Sequence, residues 1–169
     1  MLNPAKIIEK ARHSRWYRRL LNWSLDRMVP FNKPHGLRVV EIAPDAVTVL
    51  LPYKRRNLNH IRGLHACALA TASEFTTGLL LISRLDARKY RLIMKRLEMD
   101  YHYQGKMDAR ATFHVSDDWF AREIYHPLED NDAVIVTCEV HIHDVHGNHL
   151  TTGRVEWQIK KWTAVGTRG

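Results

Sequence analysis

The sequence predicts an α+β fold in which an antiparallel sheet wraps around one long apolar helix. A helix, two strands, a second and very apolar helix, and then three or four strands follow one another along 169 residues. Hairpin turns between strands favour antiparallel pairing, and a single apolar helix must be covered by that sheet to bury its surface. The length suits one domain, which we expect to span residues 1–169.

The first element is an amphipathic helix over residues 1–30, with Asn3 as its cap, Pro4 at its first position and Pro30 at its end. Its apolar residues recur at helical spacing: Ile7, Ala11, Tyr17, Leu21, Leu25 and Met28. The other face is basic and is flanked by Trp16 and Trp23. Two interpretations stay open: a surface helix docked on the core, and a helix that makes peripheral contact with a membrane.

The core domain is expected over residues 36–162. Alternating β-branched residues at 37–42 and 46–51, with a turn at Pro44-Asp45, predict a hairpin. The Ala- and Leu-rich segment from about 62 to 85 predicts the long helix. Further strands are predicted at 90–103, 109–115, 134–144 and 150–162, a loop or short helix at 116–132, and a frayed tail at 163–169.

The composition narrows the class of protein. The apolar run 78–82 stops at Ser83, so the sequence predicts no membrane-spanning segment. The N-terminus lacks the continuous apolar region of a signal peptide, and we expect a cytoplasmic protein. Cys67 and Cys138 show no metal or disulfide spacing. A net charge of +8 makes nucleic acid, anionic lipid and the phosphates of a coenzyme plausible partners.

One polar loop runs into the long helix and carries an acid with it. Glu74 shares a narrow helix face with small and apolar residues, namely Cys67, Ala70, Thr71, Gly78 and Leu81. A carboxylate in such surroundings is costly to bury, and such sites are where pKa values are shifted for catalysis. Glu74 is therefore the candidate base. The alternative is a glutamate that reaches solvent or pairs with an arginine.

The residues Asn59, His65, Ala66 and Glu74 resemble the signature of hotdog-fold acyl-CoA thioesterases of the phenylacetyl-CoA thioesterase type, and of related uncharacterised hotdog domains. In that signature an Asn precedes a His by six residues, and an acid follows the His by nine, as 65 − 59 and 74 − 65 do here. The resemblance covers residues 36–162 and implies the hotdog fold.

The resemblance also implies a mechanism. The backbone N–H of Ala66 at the helix start holds the thioester oxygen, while Glu74 comes from the neighbouring subunit of a homodimer, or dimer of dimers, and acts as general base or nucleophile. His65 and Asn59 orient the thioester and stabilise the loop. Their alternative roles are a helix-start histidine bonded to backbone and an ordinary loop or capping residue. The implied substrate is an acyl-CoA or acyl carrier protein thioester.

Four cations beside this motif are candidates for the phosphates of coenzyme A: Lys54, Arg55, Arg56 and Arg62. Each is by itself more commonly a solvated charge. Coenzyme A enters only as part of the substrate, and no other cofactor is expected. Nucleic acid is not an expected partner, since aromatic and basic residues interleave only at 15–19.

Histidines at 141, 143, 146 and 149 raise the question of a metal site. His141 and His143 alternate onto one strand face, yet no carboxylate or Cys completes a familiar ligand spacing. An exposed polar strand face is the better interpretation, and no metal site is predicted.

Departures from the thioesterase pattern keep two other functions open. Ala66-Cys67 stands where two glycines are usual, Arg62 stands where a glycine is usual, and no Ser or Thr occurs at 88–95. A non-catalytic acyl-CoA-binding or regulatory protein fits these departures. A hotdog hydratase or dehydratase is the last alternative, because His60 precedes Glu74 by 14 residues.

Overall fold

A computed structural model of the chain describes residues 4–165 and contains five α-helices and six strands within that range, besides short 3-10 and π turns. The helices are α1 (Pro4–His13), α2 (Arg15–Met28), α3 (Ala66–Arg84), α4 (Asp117–Phe120) and α5 (His126–Asp130). The strands are β1 (Arg38–Ile42), β2 (Ala46–Leu51), β3 (Tyr90–Tyr101), β4 (Ala109–His114), β5 (Ala133–Asp144) and β6 (His149–Lys161). Every element predicted between residues 36 and 162 is present, and 116–132 forms short helices around a π turn.

All six strands belong to one sheet in the order β1-β2-β4-β5-β6-β3, with antiparallel pairing throughout. The helix α3 packs along one face of this sheet, as predicted from its apolar composition. The sheet order places β1 and β3 at opposite edges.

Small residues let α3 approach the sheet closely. A Cβ at Gly78 would lie 2.8 Å from the ring of Trp157 on β6, and one at Gly153 would lie 2.8 Å from Oγ of Ser73. The Trp157 indole N–H donates a 3.0 Å hydrogen bond to Oγ1 of Thr77, which fixes the ring against the helix. The helix is therefore held by shape and by one buried hydrogen bond.

By length and composition α3 could cross a membrane, contrary to the expectation from the sequence. That expectation considered only the uninterrupted apolar run at 78–82. The helix contains Thr, Ser and Gly between its Leu residues, and most of it is buried inside the protein. Its apolar character is that of a core helix covered by a sheet.

The predicted N-terminal helix is divided in two. Ser14 interrupts it, and its Oγ accepts a 3.5 Å hydrogen bond from the N–H of Tyr17 to cap α2. Apolar spacing continues across the break, so periodicity alone does not reveal it. The proposed cap Asn3 and residues 166–169 of the predicted tail lie outside the described residues.

The two edge strands of the sheet, β1 and β3, differ in whether other residues hydrogen-bond to their outer edges. The side chain of Asn22 on α2 bonds both the N–H and the carbonyl of Val39, at 2.8 and 3.1 Å, and Arg18 donates to the Val40 carbonyl at 2.9 Å. The edge of β1 is thereby closed. Within residues 4–165 nothing pairs with the outer edge of β3, whose twelve residues are mostly exposed or half-buried.

Candidate functional site

The loop that leads into α3 is organised around Asn57, which is fully buried. Its side-chain amide donates to the carbonyls of His35 and Pro52 at 2.9 and 2.8 Å. Its own carbonyl accepts a 2.7 Å hydrogen bond from the N–H of His65. These bonds fix the start of α3 relative to the β2 end of the sheet.

Asn59 shapes the same loop. Its Oδ1 accepts hydrogen bonds from the N–H groups of Ile61 and Gly63, at 3.1 and 2.9 Å. Arg62, between them, has a φ of 59°. A residue other than glycine rarely adopts this left-handed conformation. The backbone at Arg62 thus takes a shape that glycine adopts easily, although the side chain is Arg.

His65 is the N-cap of α3, and its Nδ1 accepts a 3.0 Å hydrogen bond from the N–H of Cys67. The N–H groups of Ala68 and Leu69 bond the His65 carbonyl. The N–H of Ala66 donates to no group within residues 4–165, and Ala66 is exposed. A free N–H therefore lies at the positive end of the longest helix.

A groove of about 450 Å³ lies beside this free N–H. Ala66 and Asn59 line it together with Tyr101, whose hydroxyl donates a 3.1 Å hydrogen bond to the Ala66 carbonyl. Tyr101 is absent from the sequence-based candidates because it lies 35 residues further along the chain, at the end of an ordinary strand. Its exposure could have marked it only once the strand was placed beside α3.

Glu74 lies two turns further along α3 and is half-buried. Burial raises the pKa of its carboxyl group above the usual range of a glutamate. No Arg, Lys or His within residues 4–165 pairs with it, so the arginine partner of the alternative interpretation does not appear there. An unpaired carboxylate in partial burial is costly for stability and available for chemistry.

Ala66 and Glu74 belong to the same helix but not to the same groove. Eight residues of α-helix span about 12 Å. Glu74 is also not among the residues that line the groove beside Ala66. Within one chain the two residues therefore do not line one groove.

Three of the four predicted phosphate ligands come together. Lys54, Arg55 and Arg56 line a cleft of about 440 Å³ with Lys33 and Pro34. Burial and the nearby Arg38 and Arg56 lower the pKa of Lys54. Lys33, which precedes the cationic run by about 20 residues, is the member that the sequence analysis did not find. Arg62 does not line this cleft.

Histidines gather on the exposed face of the sheet, and one of them, His102, also lines the groove beside Ala66. The ring of His149 lies 4.5 Å from that of His102, 5.3 Å from His141 and 4.8 Å from His143. Burial, with His149 and His141 nearby, lowers the pKa of His143. In the described part of the chain no three His, Cys, Asp or Glu side chains have metal-binding geometry. His60, the candidate for a hydratase, is exposed on the loop.

Comparison with known proteins identifies the family of this chain and its fold. Residues 17–163 match DUF4442, a family described as a domain of unknown function. A Pseudomonas aeruginosa protein of unknown function, called a probable thioesterase, is 22% identical with a TM-score of 0.76 over 85% of this chain and 95% of its own. A Haemophilus influenzae thioesterase is 9% identical, with a TM-score of 0.68 over 90% and 94%.

A Chlorobaculum tepidum protein of unknown function is 14% identical, with a TM-score of 0.72 over 95% of this chain and 98% of that protein. No curated protein matches this chain. At these identities the solved structures establish the shared hotdog fold, which confirms the resemblance drawn from Asn59, His65, Ala66 and Glu74 at the level of architecture.

Because the carboxyl group of Glu74 is desolvated, we expect that its removal stabilises the chain and that this stabilisation increases with pH. Between the usual glutamate pKa and the raised one, the folded chain binds more protons than the unfolded chain, so wild-type stability falls as pH rises. Glu74→Gln has no such fall. We expect the unfolding free energy of Glu74→Gln minus that of wild type, both measured in urea at equal protein concentration, to increase from about pH 4 to pH 7.

The exposed Glu129 provides the matched control, since Glu129→Gln removes a carboxylate that is already solvated. That variant should show no gain across the same range. Parallel stability curves for wild type and Glu74→Gln would contradict a desolvated carboxyl at position 74.

Proposed function

The chain belongs to the DUF4442 family and has the hotdog fold, and from this premise we propose that it is a thioesterase that hydrolyses acyl-CoA or acyl carrier protein thioesters as a homodimer. The proposal rests on two groups that one helix carries: a free N–H at Ala66 and a desolvated carboxyl group without a partner at Glu74. These are the two groups that thioester hydrolysis requires.

The Ala66 N–H supplies the oxyanion site. When water adds to a thioester carbonyl, negative charge develops on the oxygen, and a fixed donor at a helix N-terminus stabilises that charge. His65 satisfies the next N–H, of Cys67, and so leaves Ala66 as the donor that faces the groove. In this proposal His65 and Asn59 are positioning residues, because their bonds hold the loop and the helix start.

Glu74 supplies the base or the nucleophile. As a base, its carboxylate takes a proton from water while the hydroxide adds to the carbonyl carbon. The C–S bond then breaks, and the proton passes to the departing thiolate. As a nucleophile, it forms an acyl anhydride as the thiolate leaves, and water then hydrolyses the anhydride. Both routes need the ionised carboxylate, so the rate is expected to fall as pH drops below the raised pKa.

The second subunit brings Glu74 within reach. The roughly 12 Å between Ala66 and Glu74 along α3 favours a site shared by two chains over a site within one chain. The open edge of β3 offers a long strand for antiparallel pairing with a second copy, and such pairing makes a symmetric interface. In this dimer each site takes its N–H from one chain and its carboxylate from the other. A dimer of dimers is compatible with the same site.

The cationic cleft supports coenzyme A as the carrier. Lys33, Lys54, Arg55 and Arg56 present four positive charges around one concave surface. Guanidinium and ammonium groups in this arrangement suit the phosphates of a nucleotide. An acyl carrier protein, which presents an acidic surface, is the alternative carrier that the same charges favour.

A non-catalytic acyl-CoA-binding protein is the second candidate. It is favoured by one observation, namely that residues 88–95, where the strand after α3 begins, contain no Ser or Thr. It retains the cleft and the groove and differs only in turnover.

The proposal predicts the loss of hydrolysis in two single variants. Glu74→Gln should lower kcat about 10²-fold, since the base or nucleophile is gone. Ala66→Pro removes one N–H at the first helical position, where proline fits without disturbing the helix, and should cost about 10²–10³-fold. The measurement is release of free thiol from a panel of short, long and aryl acyl-CoAs, with a chelator present throughout.

Ala66→Ser, which keeps the N–H, is the matched control and should stay active. Activity of Ala66→Pro equal to that of Ala66→Ser would remove the oxyanion role. If wild type binds acyl-CoA but releases no thiol from any substrate, the binding protein replaces the enzyme.

If the cationic cleft binds the nucleotide part of an acyl-CoA, its arginines should affect KM only for substrates that contain the nucleotide. The double variant Arg55→Gln/Arg56→Gln should raise KM for an acyl-CoA about tenfold and leave kcat unchanged, because two charge-assisted contacts to phosphate are lost. KM for the matching N-acetylcysteamine thioester, which lacks the nucleotide, should not change. An equal rise for both substrates would mean that the arginines support the fold rather than bind phosphate.

A further inference from the structure

The helix α2 has two apolar faces, and only one of them is used by the fold. Leu21 is buried against the core, with Tyr17 and Leu25 packed beside it. Trp16 and Trp23 point away from this face, because Trp23 is about 200° around the helix from Leu21. We propose that the outward face of α2 docks on an anionic lipid surface.

The outward face is apolar to an unusual degree for a helix in water. Trp16 is 63% exposed and Trp23 is 54% exposed. Leu20 lies between them, and the three line a shallow surface depression together with Arg19. Indole rings with neighbouring aliphatic groups suit the boundary between headgroups and acyl chains.

The N-terminal segment that carries this face is mainly positive. Residues 1–33 contain eight Lys or Arg and two acidic residues, a net charge of +6 out of +8 for the chain. One of the two acids, Asp26, is already paired with Arg38 at 3.0 Å. The guanidinium of Arg27 lies 3.5 Å from the centre of the Trp23 ring, which keeps a cation beside the apolar surface. Such a face is complementary to phosphate headgroups.

The position of α2 leaves this face accessible. The helix lies along β1, at the sheet edge opposite to β3. A dimer formed through β3 would not cover it, so this inference does not depend on the proposed catalytic function or dimer. Nucleic acid is the less suitable polyanion, because Leu20, between the two Trp rings, would gain no burial on a phosphate backbone, whereas the acyl boundary of a bilayer buries it together with the rings.

The test is co-sedimentation of the full chain with vesicles of phosphatidylcholine alone or mixed with phosphatidylglycerol. We expect wild type to bind the mixed vesicles and not the neutral ones, with affinity falling as salt rises. Trp16→Ala/Trp23→Ala should weaken binding at least about tenfold, because two interfacial anchors are lost. Unfolding midpoints of the variants show that the fold is intact.

Charge-matched variants separate this face from net charge. Arg19→Glu, on the face, should weaken binding about tenfold or more, and Arg110→Glu, on β4, should change it less than about twofold. Equal losses in the two variants, undiminished binding by the double Trp variant, or no binding of wild type to mixed vesicles would each overturn the proposal. Tryptophan-dependent binding to an oligonucleotide without vesicle binding would identify nucleic acid instead.

Discussion

The organisation of this protein follows from a difference between the two edges of its sheet. Side chains of α2 cover one edge, whereas no described residue covers the other. Side chains of α2 take the place of a neighbouring strand at β1, where Asn22 bonds both polar groups of Val39. No described residue does the same at β3. A twelve-residue strand with an open row of hydrogen-bonding groups is a strong template for a second chain. The fold thus leaves the edge of β3 open on one side, among the described residues, and places α2 on the other.

The same constraint explains the composition of α3 and the positions of its free polar groups. The helix must be apolar because the sheet covers it, and Gly78 and Gly153 allow that close contact. Two of its polar groups that have no partner among the described residues lie where the cover is incomplete: the N–H of Ala66, which is exposed, and the carboxyl group of Glu74, which is half-buried. Each is unfavourable for stability in isolation. In the proposed dimer, one copy of the chain supplies the donor and the other copy supplies the base for the same carbonyl group.

Most of the fold could be predicted because it depends on local patterns. Alternation and turn residues place the six strands, and the apolar run places α3 to within a few residues. The break at Ser14 was not predictable, since helical spacing continues on both sides of it. The hydropathy of α3 was underestimated, because interspersed Thr and Ser look polar in sequence while Thr76 and Thr77 satisfy their hydroxyls on the helix backbone.

The candidate site was predictable to a smaller extent. Glu74 stood out because an acid among small helical residues is rare, and burial does raise its pKa. The caps formed by His65 and the turn formed by Asn59 agree with their alternative roles in holding the loop. Contacts between distant segments were out of reach: Lys33 joins Lys54 in one cleft, and Tyr101 meets Ala66, only after the sheet is assembled.

The central claim is that one active site is divided between two chains, and mixing two inactive variants tests it most directly. Glu74→Gln keeps the Ala66 N–H, and Ala66→Pro keeps the Glu74 carboxylate. Equal amounts, unfolded and refolded together, should form half mixed dimers, each with one complete site, and so regain about a quarter of wild-type thioester hydrolysis. If the mixture is as inactive as its two components while it is fully dimeric by light scattering, the site does not lie between the chains, and the account is wrong.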